Sequence, residues 1–140
     1  MSGDHGIIAP YARALGIHAV PDQEGDGPPV LAIAFGQQVE GRPGFLHGGA
    51  IGGLLETAGY AALSRSLAAD GQTRRLKPIN ITVQFLSAGK PRTTYAAGRI
   101  VRLGRRVANV AVEAWQDDRR KPIASAVMNI MLAQSGADAI

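Results

Sequence analysis

No cysteine occurs among the 140 residues, which excludes disulfide frameworks, thiolate nucleophiles and sulfur-ligated metal sites. A reducing cytoplasm is the expected setting. Aromatic residues make up only 5% of the chain. None is interleaved with a basic run, so the stacking platform that single-stranded nucleic acid needs is missing. No apolar run approaches the ~20 residues required to cross a bilayer. The opening MSGDHGIIAPYARALGI has an early acid and no basic segment leading into an apolar one, so no secretory signal is expected. The three histidines, His5, His18 and His47, are scattered and lack metal-ligand spacing. The expectation is a protein with no metal, no nucleic acid and no membrane partner.

What is present suits one ordinary domain over 1–140, with 46% hydrophobic and 19% charged residues. The charge is unevenly placed. Residues 1–70 hold three basic and seven acidic side chains; residues 71–140 hold twelve basic and four acidic. The basic residues cluster as RRLK (Arg74, Arg75, Lys77), RLGRR (Arg102, Arg105, Arg106) and RRK (Arg119, Arg120, Lys121). Two readings stand: solvated turns that keep the protein soluble, or a rim for a small phosphate-bearing ligand.

Periodicity orders the rest. A short helical pattern (Ile8, Tyr11, Ala12, Leu15) ends at Gly16, giving an N-terminal helix within 1–16. PDQEGDGPP is a loop, VLAIAFG a short buried strand, and EGRPGF another loop. A long helix is expected over 47–69, stopped by Asp70–Gly71. It is apolar nearly all round, which predicts burial. The period then changes to two: in INITVQFL, Ile79, Ile81, Val83 and Phe85 point one way, Asn80, Thr82 and Gln84 the other. YAAGRIVRL and RVANVAVEAW follow as strands around a tight LGR turn, and IASAVMNIML closes as a long apolar strand. Consecutive strands with short links predict an antiparallel meander over 78–133. The fold class is α+β, a sheet of about five to six strands wrapped round one helix. Its free edge calls for a second copy, so at least a homodimer is expected.

The chemistry concentrates in GFLHGGAIGGLLETAGYAAL, Gly44 to Leu63. His47, Gly48 and Gly49 stand where loop becomes helix. The first amides of a helix lack internal partners and carry its positive dipole end, and glycine leaves them open to a ligand. That tip is either a site that polarises a carbonyl as an oxyanion develops or a glycine-rich entry to a tightly packed helix. Glu56 is the one charged residue of the stretch. It is either a satisfied structural acid or a carboxylate tuned upward for work as base or nucleophile. Gly48 and Glu56 are eight residues apart, about 12 Å along a helix. One carbonyl does not easily touch both in the same chain, so joint action requires two subunits with antiparallel helices. Tyr60, one turn beyond, either orients the carboxylate or simply packs.

HGG with an acid nine residues after the histidine, then NITVQFL, the RLGRR hairpin and a closing apolar strand, resembles the hotdog-fold acyl-CoA thioesterases of the phenylacetate-degradation (PaaI-like) group. The resemblance spans residues 6–133. It implies that Gly48 N–H holds the thioester carbonyl, with His47 shaping that end and Gly49 beside it. It implies that Glu56 of the opposing subunit is general base on water or nucleophile. It implies that Arg102, Arg105 and Arg106, with Gly104 keeping the turn close, meet the phosphates of coenzyme A, and that Asn80 and Gln84 line the thioester channel, although alternation equally allows these two to face solvent. No separate cofactor is implied, since coenzyme A belongs to the acyl- or aryl-CoA substrate, and a dimer of dimers is the implied assembly. One departure stands out. Gly41 occupies the place where many members carry an amide or acid side chain, with Gln38, Glu40 and Arg42 nearby. Two rival functions follow from the same residues: a hotdog hydratase or dehydratase, and a non-catalytic acyl-CoA-binding or sensor domain.

Overall fold

A 22-residue helix, α2 (Gly48–Ala69), lies across one face of a six-stranded antiparallel sheet in the computed structural model, which describes residues 8–21 and 27–134. His47 is its N-cap and Asp70 its C-cap. Gly71 follows with φ of +69°, a left-handed turn that side-chain-bearing residues resist. The stop expected at Asp70–Gly71 is therefore the real one. Ahead of α2 come α1 (Pro10–Ala14), β1 (His18–Ala19) and β2 (Leu31–Ile33). After it come β3 (Arg74–Phe85), β4 (Thr94–Leu103), β5 (Val107–Trp115) and β6 (Ala124–Gln134). His5, the first residues of the expected N-terminal helix and most of the PDQEGDGPP loop lie outside the described residues.

The sheet order is β1-β2-β4-β5-β6-β3. This corrects the simple meander: β4, β5 and β6 follow one another, but β3 pairs with β6 and never with β4. The link 86–93 explains it. Its Lys90 N–H and C=O are held by the Gln116 amide, at 3.1 and 2.9 Å, at the far end of β5. The chain is thus carried across the sheet end and laid down on the other side of β5. β3 also starts earlier than the INITVQFL pattern, at Arg74, and contains Pro78. An edge strand tolerates a proline that donates nothing, and the register shifts between Pro78 and Asn80.

The core lies between α2 and the sheet, built from Leu54, Leu55, Ala58 and Leu63 against Val110, Val112, Met128 and Ile130, all essentially inaccessible. Gly59 and Gly98 set how closely the two layers approach. A Cβ on Gly59 would lie 2.3 Å from Met128 Sδ, and one on Gly98 would lie 3.2 Å from the Ala58 carbonyl and from Gly59 Cα. Helix backbone and β4 backbone meet there with no side chain between them.

The helix is not buried all round. Gly49, Gly52, Gly53, Glu56, Thr57, Tyr60 and Ser64 form a stripe that the sheet leaves partly open. Their spacing of three and four residues puts them on one face. α1 shelters a part of it, since a Cβ on Gly53 would meet Leu15 Cδ1 at 3.0 Å, whereas Gly52 has nothing within 4 Å.

Candidate active site

The segment leading into α2 is tied down by backbone bonds: Gly41 N–H to Phe45 O at 2.8 Å, His47 N–H to Val39 O at 2.8 Å and Leu46 N–H to Gly89 O at 2.9 Å. The Glu40 carboxylate accepts from Gly44 N–H at 2.7 Å and closes the turn. The result is a cleft of about 780 Å³ whose lining includes Arg42, Phe45, His47, Gly48, Ile51 and Phe85.

Four amides open a helix without internal partners, and here their fates differ. Ala50 and Ile51 N–H both reach His47 O, at 3.0 and 3.1 Å. Gly49 N–H donates to His47 Nδ1 at 2.8 Å. Gly48 N–H alone has no acceptor among the described residues, and Gly48 lines the cleft. An Nδ1 that accepts carries no proton, so the neutral His47 ring holds its proton on Nε2. The histidine caps the helix and spends Gly49, leaving one amide for a ligand oxygen.

Gly41 lies close to this cap: a Cβ there would lie 3.1 Å from His47 Cα. A side chain at 41 therefore asks the capping residue to give by a few tenths of an ångström. The neighbours do not replace it within the chain. Glu40 is committed to Gly44, the Arg42 guanidinium stacks 4.4 Å from the Phe45 ring centroid, and Gln38 lies beside Gly16.

Glu56 stands outside the cleft, half-buried on the open stripe of α2. No hydrogen bond or ion pair to a described residue engages its carboxylate. Its effect is felt by Tyr60, whose hydroxyl is pushed up to about 12 by burial first and by the Glu56 charge second. A phenol so placed stays protonated and able to donate at neutral pH.

Asn80 and Gln84 are not with either group. Their partners across the ladder, Asn129 and Ser125, belong to the face of β6 opposite Met128, Ala126 and Ala124, which pack toward α2. Both side chains therefore project from the side of the sheet away from the helix, the side that alternation equally allowed them. Asn80 instead ends a chain of amides: Asn109 donates to Asn129, and Asn129 to Asn80 at 2.7 Å. The residue that reaches the helix tip from β3 is Phe85, whose Cε1 and Cζ lie 3.5 Å from where a Gly48 Cβ would be. Alternation put Phe85 on the correct face, but nothing in the pattern distinguished it from Ile81 or Val83.

The basic hairpin is divided as well. Gly104, Arg105 and Arg106 line a second cleft, of about 1300 Å³, at the opposite end of α2 together with Leu67, Arg74 and Lys77. Arg102 pairs with Asn109 on the outer face and is not in that lining. Among the described residues, no group of three or more histidine, aspartate or glutamate side chains is placed to hold a metal ion, and no helix is long and apolar enough to cross a membrane.

Comparison with known proteins agrees with this architecture. The model of the thioesterase superfamily matches residues 43–123, which include most of the cleft lining, α2 and the basic hairpin. A solved protein of Chromobacterium violaceum is 30% identical, with 98% of this chain and 91% of that one covered and a TM-score of 0.69. A conserved protein of Pseudomonas aeruginosa superposes with a TM-score of 0.80 at 23% identity, over 93% and 98% of the two chains. A phenylacetic acid degradation-related protein of Ralstonia eutropha does so at 0.71 and 24%, over 88% and 90%. No match was found among curated proteins. With the family model covering more than half its length, and a curled sheet around one long helix, the chain belongs to the thioesterase superfamily and is a hotdog-fold thioester hydrolase.

Proposed function

We propose that the protein hydrolyses acyl-CoA thioesters at a site shared by two copies of the chain. The observation that carries this reading is the division of the helix-tip amides, which leaves Gly48 N–H, in the lining of the cleft, as the tip amide with no acceptor among the described residues. A thioester oxygen held there gains most as it becomes an oxyanion, which is how such a donor accelerates acyl transfer. The carboxylate comes from the partner's helix. Glu56, about 12 Å away along its own α2, is too far to serve the same carbonyl. As base, Glu56 takes a proton from water while the water oxygen adds to the thioester carbon. Collapse of the tetrahedral intermediate then expels the CoA thiolate, which takes up a proton. As nucleophile, Glu56 forms a mixed anhydride that water opens, with the same products.

The free edge of the sheet supports the second copy. Among the described residues β3 pairs only with β6 and stands at the end of the sheet. Ile79, Ile81, Phe85 and Leu86 are exposed there, Phe85 by 58%. A twelve-residue edge strand that exposes Ile79, Ile81 and Phe85 is a template for another strand, and two copies related by a two-fold axis satisfy both edges at once. The basic cleft at the far end of α2 then supplies cations for the CoA phosphates.

One observation favours a binding-only alternative: Gly41 brings no polar side chain to the tip, and Glu40 is spent on its own turn. A panel of aliphatic and aryl acyl-CoAs, assayed for thiol release, separates the two. The cysteine-free protein contributes no thiol of its own. Turnover with at least one ester supports hydrolysis; saturable binding without release across the panel overturns it.

A further inference from the structure

Arg74, the first residue of β3, lies in the lining of the basic cleft, yet its guanidinium is turned to the protein's own backbone and joins three separate segments. Nε donates to Ala133 O at 3.1 Å, and Nη2 to Leu132 O at 2.8 Å and Arg105 O at 3.1 Å. Nη1 donates to Gln72 Oε1 at 3.3 Å. The end of β6, the β4–β5 hairpin and the turn after α2 are thereby held by one planar fork. A guanidinium has five N–H donors, and these bonds leave it little to offer a ligand.

The hairpin is held from a second side. Arg106 O accepts from Leu132 N–H at 2.7 Å, and Gly104 N–H donates to Val107 O at 2.9 Å. A Cβ at Gly104 would lie 2.9 Å from that same Val107 oxygen, so the turn stays tight only with glycine. Arg105 and Arg106 therefore hang from a backbone whose carbonyls are both fixed. Their own side chains form no ion pair with a described residue, and both line the cleft of about 1300 Å³. Cations delivered from a rigid turn lose less freedom when an anion arrives than cations on a loose loop.

We propose that Arg74 is a positioning residue for phosphate recognition: by clamping Arg105 O to the end of β6, it presents Arg105 and Arg106 to the CoA phosphates already arranged. The inference rests on the reading that the hairpin receives the CoA portion of the substrate. Lysine keeps the charge at position 74 but cannot reach three segments as a fork does. Loss of the clamp therefore weakens ground-state binding of the phosphate-bearing part and leaves the chemical step alone.

The test is steady-state kinetics on the best acyl-CoA of the panel and on the same acyl group carried by N-acetylcysteamine, which has no phosphate. The Arg105→Ala/Arg106→Ala double variant tests the underlying reading, with KM for the CoA ester expected to rise about tenfold and the short thioester unaffected. Arg74→Lys and Arg74→Ala are expected to raise KM for the CoA ester several-fold, with kcat and the short thioester unchanged. Should the alanine variant fail to fold, the lysine variant carries the test. If the hairpin double variant raises KM but Arg74→Lys behaves as wild type, the clamp is overturned while the reading stands. If Arg74→Lys impairs both thioesters equally, its role is general structure and the proposal fails. If the double variant leaves KM unmoved, the hairpin reading itself fails.

Discussion

Gly49 N–H is held by His47 Nδ1 at 2.8 Å, while the adjacent Gly48 N–H, in the lining of the cleft, has no acceptor among the described residues. The cap is thus both a structural and a selective device. His47→Ala removes it and is expected to destabilise the fold by about 1 kcal/mol, while His47→Asn, whose side chain caps equally well, keeps most of that stability. Urea unfolding of the three proteins measures it. Equal midpoints for His47→Ala and wild type would remove the cap from the account.

Two helix glycines give opposite expectations. A Cβ at Gly59 collides with Met128 Sδ at 2.3 Å, so Gly59→Ala forces repacking and costs roughly 1–3 kcal/mol. Gly52 has open space beside it, so Gly52→Ala gains up to about 1 kcal/mol of helix propensity. Unfolding midpoints that move in the same direction for both would contradict the packing described. A more stable Gly52→Ala protein with reduced turnover would mark the open stripe as a working surface.

Tyr60 provides a spectroscopic handle on Glu56. The chain has three tyrosines, and Tyr60, pushed up to about 12, should be the last to ionise in an alkaline absorbance titration. Tyr60→Phe removes that late step, and Glu56→Gln shifts it downward by removing the smaller of the two causes. The sign for stability follows. Above pH 10 the unfolded chain loses this proton while the folded one keeps it, so the stability held below pH 10 falls as pH rises toward about 12. A titration unchanged by Tyr60→Phe would refute the assignment.

Much of this was legible in the residues, and the failures share a physical cause. The helix ends were marked by His47 and by Asp70–Gly71 because capping chemistry is local. The oddness of Glu56 was visible because an acid amid Leu54, Leu55 and Ala58 has no local explanation. The position of β3 was not visible. Whether a strand returns beside its neighbour or crosses the sheet is a matter of contacts distant in sequence, such as that of Lys90 with Gln116, 26 residues away. The choice of face for Asn80 and Gln84 is of the same kind. Alternation separates two faces, but only the location of α2 decides which of them looks toward the helix tip. Gly41 could be noted as a missing side chain, while its closeness to His47, where an added Cβ would lie 3.1 Å from Cα, belongs to the folded chain.

The division of labour between two chains is tested most directly by mixing two inactive variants. Gly48→Pro deletes the open amide, and proline suits the first helical position, where the preceding His47 is extended with ψ of 135°. Glu56→Ala deletes the carboxylate. In dimers formed from equal amounts of both, half are mixed, and each mixed dimer regains one intact site of two. The account predicts recovery to about a quarter of wild-type activity. Activity no higher than that of the separate variants, with mixed dimers verified by mass spectrometry, would contradict it.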